Sequence, residues 1–235
     1  MAKKQRREDY LPQSEREWID FGGFETGYET VRGKNIRIAA KLPESDPGKL
    51  VVMVGGIPRS PERRKTLPLI NKLYGRLAVL LARSGHMSLL YNQPATGLSE
   101  GNFNEDTLAS RTADLSDLTI LTARKHGVKR ASFVGMSAGS YMAARATSLL
   151  ESDTLAIEEL VLQSPAAFPE AAEIVPYGEK FRQTLSRGWR ISDSPVFEDI
   201  RDAATRGTRL AISYFQKDDP PHPFPYSGHI HRPCV

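Results

Sequence analysis

Short apolar runs recur along this chain, and most are separated by stretches with helical spacing. KLVVMVGGIP (49–58), HMSLLYNQ (86–93), VKRASFV (128–134), IEELVLQSP (157–165) and TRLAISYF (208–215) each carry such a run, as strands buried on both faces do. Ahead of them, Tyr28 to Val31 and Ile36 to Leu42 are β-rich and separated by Arg-Gly-Lys-Asn, which predicts a hairpin. Between the runs, Thr66 to Arg83 places Ile70, Leu73, Leu77 and Leu80 on one helical stripe, with Pro68 near the first turn and Gly85 past the end. Leu108 to Lys125 carries Leu115, Leu118 and Leu121 and stops at Gly127. Ala138 to Leu150 is a third, alanine-rich helix. Strands alternating with helices in this way predict an α/β fold, a mostly parallel sheet with helices on both faces joined by right-handed crossovers. In such sheets the functional groups stand at the carboxyl ends of the strands. Here those positions are Gly55 to Pro58, Asn92 to Gly97, Ser137, Ser164-Pro165 and Lys217 to Asp219.

Composition narrows the class. The chain has 235 residues, 40% hydrophobic and 26% charged, which suits one domain over 21–235 with a sizeable core. Residues 1–20 are polar and begin MAKKQRRED, so a flexible basic tail is expected there. The net charge of +4 is otherwise diffuse, and no aromatic residues interleave with the tail, so nucleic acid is not an expected partner. Cys234 is the one cysteine and cannot form an internal disulfide. No stretch approaches the roughly 18 apolar residues of a membrane span, and the start lacks the apolar core of a signal peptide. A cytoplasmic protein with no membrane span is expected.

The chemistry-bearing stretch is Gly135-Met136-Ser137-Ala138-Gly139. G-x-S-x-G alone is a weak signal, but here it follows a buried strand and opens a helix. In that setting the chain must reverse sharply and present the serine hydroxyl outward. The glycines on either side let helix and strand approach closely, and the helix amino terminus favours a developing oxyanion. Ser137 is read as a nucleophile; the competing reading is a helix N-cap serine. Acyl transfer also needs donors at the tetrahedral oxygen. The N–H of Ala138 is one candidate. The N–H of Ile57, in the loop Gly55-Gly56-Ile57-Pro58, is the other, unless that loop is an ordinary glycine turn.

These stretches resemble the α/β-hydrolase family from about Asn35 to Asp219. Gly55-Gly56-Ile57-Pro58 resembles that family's His-Gly-x-Pro oxyanion loop, with glycine in place of histidine. Tyr91 to Gly101 is similar to its D-x-R-G-x-G-x-S-x-G segment: Gly97, Ser99 and Gly101 match, while Asn92 and Pro94-Ala95 depart from it. The resemblance implies an α/β-hydrolase fold, a serine mechanism without cofactor or metal, and a small-molecule acyl substrate. It makes Asp218, in ISYFQKDDPP, the acid, although Asp-Asp-Pro-Pro is also a strong turn sequence. Gly228-His229 resembles the family's Gly-His pair and makes His229 the base, with His222 and His231 as the other imidazoles of the tail. Two histidines alternating on a proline-rich tail make a poor zinc site. His86 and His126, near helix–strand junctions, are read as structural.

Sixteen residues follow Asp219, five of them proline, too few for a regular helix and strand. The fold's last strand and helix are therefore expected to be missing or to lie beyond this chain. Residues 168–207 carry Tyr177, Phe181, Trp189 and Phe197 and form either a small cap over the serine or a connecting helix pair. The expected function is a serine hydrolase acting on a carboxylic ester, thioester or small amide. A hydrolase-fold binding protein without a working base, and an acyltransferase using the same serine, stand as alternatives.

Overall fold

The computed structural model describes residues 13–57, 61–150, 155–186 and 194–213. A helix, α1 (Gln13–Gly22), precedes the hairpin β1 (Glu25–Val31) and β2 (Lys34–Lys41). Then follow β3 (Leu50–Val54), α2 (Pro61–Lys65), α3 (Lys72–Arg83), β4 (Met87–Tyr91), α4 (Leu108–Lys125), β5 (Arg130–Met136), α5 (Ala138–Leu149) and β6 (Ala156–Gln163). Three helices, α6 (Glu170–Glu173), α7 (Glu179–Ser186) and α8 (Val196–Thr205), lead to β7 (Arg209–Ser213). Among the described residues no helix is long and apolar enough to cross a membrane.

The seven strands form one sheet in the order β1-β2-β4-β3-β5-β6-β7. β1 pairs antiparallel with β2 and β2 antiparallel with β4; the other pairs are parallel. The sheet is thus mostly parallel, as the apolar runs predict. The chain leaves β3 for β4 on one side and returns to β5 on the other, so the loops after β3 and β5 meet at a topological switch point, where such sheets place their crevice.

Side chains alternate along the strands and split the core in two. Leu50, Val52 and Val54 face one layer with Leu115 and Leu118 of α4 and Tyr141, Met142 and Ala143 of α5. Met53, Leu90 and Ala39 face the other with Tyr74 and Ala78 of α3 and Phe24. Helices therefore cover both faces.

α4 has the predicted bounds because its ends are written locally. Thr107 accepts from the Ser110 amide and Ser110 Oγ accepts from the Thr107 amide, a reciprocal cap. Gly127 follows with φ 66°. α3 differs from its prediction. It begins at Lys72, not Thr66, because Asn71 caps it by accepting from the Tyr74 amide at 2.9 Å, while Thr66 to Ile70 lead into it. Its leucine stripe does not face the sheet: Leu73 and Leu80 are exposed, and Tyr74, Gly75, Ala78 and Ala82 are buried. A carbon on Gly75 would come 2.9 Å from the Trp18 ring, so small residues let α1 and the sheet approach. Leu121 of α4 is likewise exposed. Part of the stretch expected to be a loose tail is thus helical, and its Trp18 meets Phe24 edge-on at 6.3 Å.

Near the amino end of the parallel strands, Lys49 and Arg209 both donate to the Glu159 carboxylate, and Ser132 Oγ donates to it at 2.9 Å. The hydrogen bond from Lys49 holds the Glu159 carboxyl below its ordinary 4.5, against the opposing effect of burial. A depressed carboxyl contributes stability above its unfolded pKa, and that contribution is lost as pH falls through the folded value. Glu159→Gln should therefore melt roughly 2–4 °C below wild type at pH 7, about 1 kcal/mol or less after solvent screening. The gap should close as pH is taken below 4.5, measured by thermal melts across pH; a gap that stays constant with pH would rule out the ion pair as its source.

Candidate active site

The turn from β5 into α5 holds Ser137 at φ 55° and ψ −124°, dihedrals like those of the first central position of a type II′ turn, which ordinarily takes glycine. A non-glycine residue there stores strain. The Ser137 amide donates to Gln163 O at 3.0 Å and its carbonyl accepts from Ser140 and Ala166 at 2.9 and 3.2 Å. The bonds with Gln163 and Ala166 tie the turn to β6 and to the loop after it, and the bond from Ser140 closes the start of α5. The side chain is exposed and makes no cap hydrogen bond to α5. The N-cap reading of this serine is therefore set aside: the residue occupies the cap position without capping.

The flanking glycines are sterically required. A carbon on Gly135 would lie 2.6 Å from Ser140 Cα and 2.7 Å from Gly139 O. A carbon on Gly139 would lie 2.5 Å from Gly55 O and closer still to Val54 O. Both separations are under any normal van der Waals contact, so the start of α5 sits directly against the carboxyl end of β3. Ala138 opens α5, and its amide lies in the first turn, where no intrahelical acceptor exists.

The loop after β3 passes over the serine. The position a carbon would take on Gly56 is 3.3 Å from Ser137 Cβ and 3.7 Å from its Oγ. Ile57 follows at once, half-buried against the α4–α5 layer; Pro58 lies outside the described residues. Ser137, Ala138 and the Gly55 to Ile57 loop are thus brought together at the switch point. Asp218 and His229, with His222, His231, Asp219 and Cys234, lie outside the described residues. His86 and His126 stand at the junctions before β4 and β5, at the amino end of the strands and across the sheet from Ser137.

The loop after β4 and the start of α4 each supply a side chain that the sequence did not single out. Gln93 Nε2 donates to Gly55 O at 2.6 Å. Arg111, on the first turn of α4 and fully buried, donates to Gln93 Oε1 at 2.8 Å, Pro94 O at 2.7 Å and Asp106 Oδ2 at 3.3 Å. Arg111 lies three residues after Leu108 and four before Leu115, on the apolar stripe of α4; a charge on a core stripe was the available signal. The matching residues of the same loop have structural work. Ser99 Oγ donates to Asn92 O at 2.6 Å and accepts from the Arg37 amide at 2.8 Å. Gly97 has φ 53° and donates to Arg64 O.

An aromatic chain runs from α5 to this loop. Tyr141 meets Phe168, Phe168 meets Phe181, Phe181 meets Tyr177, and Tyr177 stacks on Phe103 with centroids 5.0 Å apart. Arg64 lies 3.5 Å above the Phe103 ring. Burial pushes the Tyr177 phenol well above its ordinary range. α8, by contrast, packs on α5: Arg145 pairs with Asp199 at 2.9 Å and Ser148 Oγ donates to the same carboxylate at 2.6 Å.

No family model matches the sequence, and no curated protein does. Solved structures do match. An α/β serine hydrolase without a lid, from Xanthomonas campestris, is 16% identical with a TM-score of 0.52, over 81% of this chain and 83% of that one. An esterase from Pyrococcus furiosus is 15% identical with a TM-score of 0.50, over 81% and 80%. The chain has the α/β-hydrolase fold. A protein from Agrobacterium vitis S4, provisionally named a hydrolase, is 22% identical with a TM-score of 0.49 over 70% of this chain, which spans 62% of its length. Ser137 stands in the turn where β5 enters α5.

Proposed function

We propose that the protein is a serine hydrolase acting on a carboxylic ester, thioester or small amide through an acyl-enzyme. The observation that carries this reading is the backbone of Ser137. A residue held in a glycine-type conformation, exposed, uncapped and packed under a glycine loop, is costly for the fold and has no structural purpose of its own. In this reading Ser137 Oγ attacks the substrate carbonyl and the tetrahedral oxygen is held by the N–H groups of Ala138 and Ile57. Asp218 orients His229, which takes the serine proton as general base and returns it to the leaving group. His86 and His126 cannot serve as base from the far end of the strands. Phe168, Tyr177 and Phe181 would shape the acyl pocket; Trp189 lies outside the described residues. The names of the Xanthomonas and Pyrococcus proteins favour the same chemistry without fixing the substrate.

Incubation with a fluorophosphonate probe, followed by peptide mass spectrometry, tests the reading. One adduct on Ser137 is expected, absent after heat denaturation. Labelling of folded protein at other serines only, or none at all, would overturn it.

A further inference from the structure

We propose that Gln93 and Arg111 are positioning residues that fix the Gly55–Gly56 peptide over Ser137, and so aim the donors of the following loop at the reacting oxygen. The inference rests on the serine-hydrolase reading of that site. Two consecutive glycines at the end of β3 have no side chains with which to anchor themselves, and their backbone is the least restricted in the chain. The loop therefore needs anchoring from outside.

One wall is α5, whose Gly139 leaves no space beneath the Val54 and Gly55 carbonyls. The second anchor is the bond from Gln93 to Gly55 O at 2.6 Å. A peptide is planar and trans, so its C=O and the next N–H point in opposite directions. Holding the Gly55 carbonyl toward Gln93 turns the Gly56 N–H away from it and sets the start of the peptide that carries the Ile57 N–H.

A glutamine amide can sit either way round, and only one way works here. Arg111 donates to its oxygen at 2.8 Å, a bond the NH2 end could not accept, so the NH2 end must face Gly55 O. Arg111 is itself fixed by Pro94 O and Asp106, and its guanidinium lies 4.9 Å from the Tyr177 ring centroid. Asp106 is held in turn by Lys34 at 3.3 Å. Gln93, Arg111 and Asp106 are all buried. A charge so deep costs several kcal/mol in desolvation and must be matched by well-placed partners. The result is a rigid line from Asp106 through Arg111 and Gln93 to the glycine loop.

The test is steady-state hydrolysis of p-nitrophenyl acetate by wild type, Gln93→Met and Gln93→Glu, with the inhibition constant of an aryl trifluoromethyl ketone, which forms a tetrahedral adduct on a serine. Gln93→Glu keeps a partner for Arg111 and so guards against a methionine variant that fails to fold. Both variants should lose about 10- to 100-fold in kcat, as misplacement of a reacting group by about 1 Å does. KM should change less than about threefold, and the ketone should weaken by the factor lost in kcat. A merely structural role would reduce the active fraction and leave the ketone constant unmoved. If wild type hydrolyses the ester and both folded variants keep its kcat and ketone affinity, the relay is wrong and the hydrolase reading stands. If wild type neither hydrolyses the ester nor takes the fluorophosphonate on Ser137, both fall.

Discussion

Gly139→Ala is expected to destabilise the protein by about 3 kcal/mol or more and to lower its melting temperature by roughly 6–12 °C. The added carbon would fall 2.5 Å from Gly55 O and nearer to Val54 O. Neither oxygen belongs to a side chain that could swing aside. Val54 O accepts from the Tyr74 hydroxyl at 3.3 Å, Gly55 O accepts from Gln93, and β3 is clamped between β4 and β5. α5 would have to lift from the sheet, taking Ser137 with it. Gly27 is the control: nothing lies within 4 Å of the carbon it lacks, and its backbone is not in the left-handed region. Gly27→Ala should stay within about 0.5 kcal/mol of wild type. Calorimetric melts of the two variants side by side decide the matter. A Gly139→Ala protein melting within 2 °C of wild type would mean that the helix does not press on the strand as described.

What could be read from the chain alone depended on the range of the physics. α4 was legible from its leucine spacing and its stop at Gly127, and the structure adds a local cap, Thr107 with Ser110, that fixes its start. The turn at Ser137 was legible because close packing leaves glycines two residues either side of it. α3 was misread because two of its faces are apolar. Leucines at 73 and 80 look like a core stripe, yet the buried face is Tyr74, Gly75, Ala78 and Ala82, and at Gly75 even one added carbon would meet the Trp18 ring. Gln93 and Arg111 were missed for a different reason. Gln93 reaches Gly55 across a crossover and Arg111 reaches Gln93 across a loop, and hydrogen bonds of that range leave no periodicity. The acid and base, Asp218 and His229, rest on resemblance alone, since both lie outside the described residues.

If Ser137 is the nucleophile proposed above, Ser137→Ala and Ser137→Gly should both lose any ester hydrolysis of the wild type by about 10⁴-fold or more, yet differ in stability. Ser137 makes no cap bond that alanine would remove, and alanine inherits the same backbone strain. Ser137→Ala should therefore melt within about 0.5 kcal/mol of wild type. Glycine accepts φ 55° and ψ −124° without strain. The relief, roughly 1–3 kcal/mol for such a conformation, exceeds the 0.5–1 kcal/mol or so that glycine's unfolded-state entropy takes back. Ser137→Gly should thus be stabilised by about 1 kcal/mol and melt roughly 2–4 °C higher. An N-cap serine predicts the opposite ordering for alanine, a loss of about 0.5–2 kcal/mol. A dead but stabilised glycine variant is what a strained nucleophile requires, because a conformation that costs the fold free energy persists only where the hydroxyl it displays does something glycine cannot. A glycine variant less stable than wild type would remove that reason for the serine.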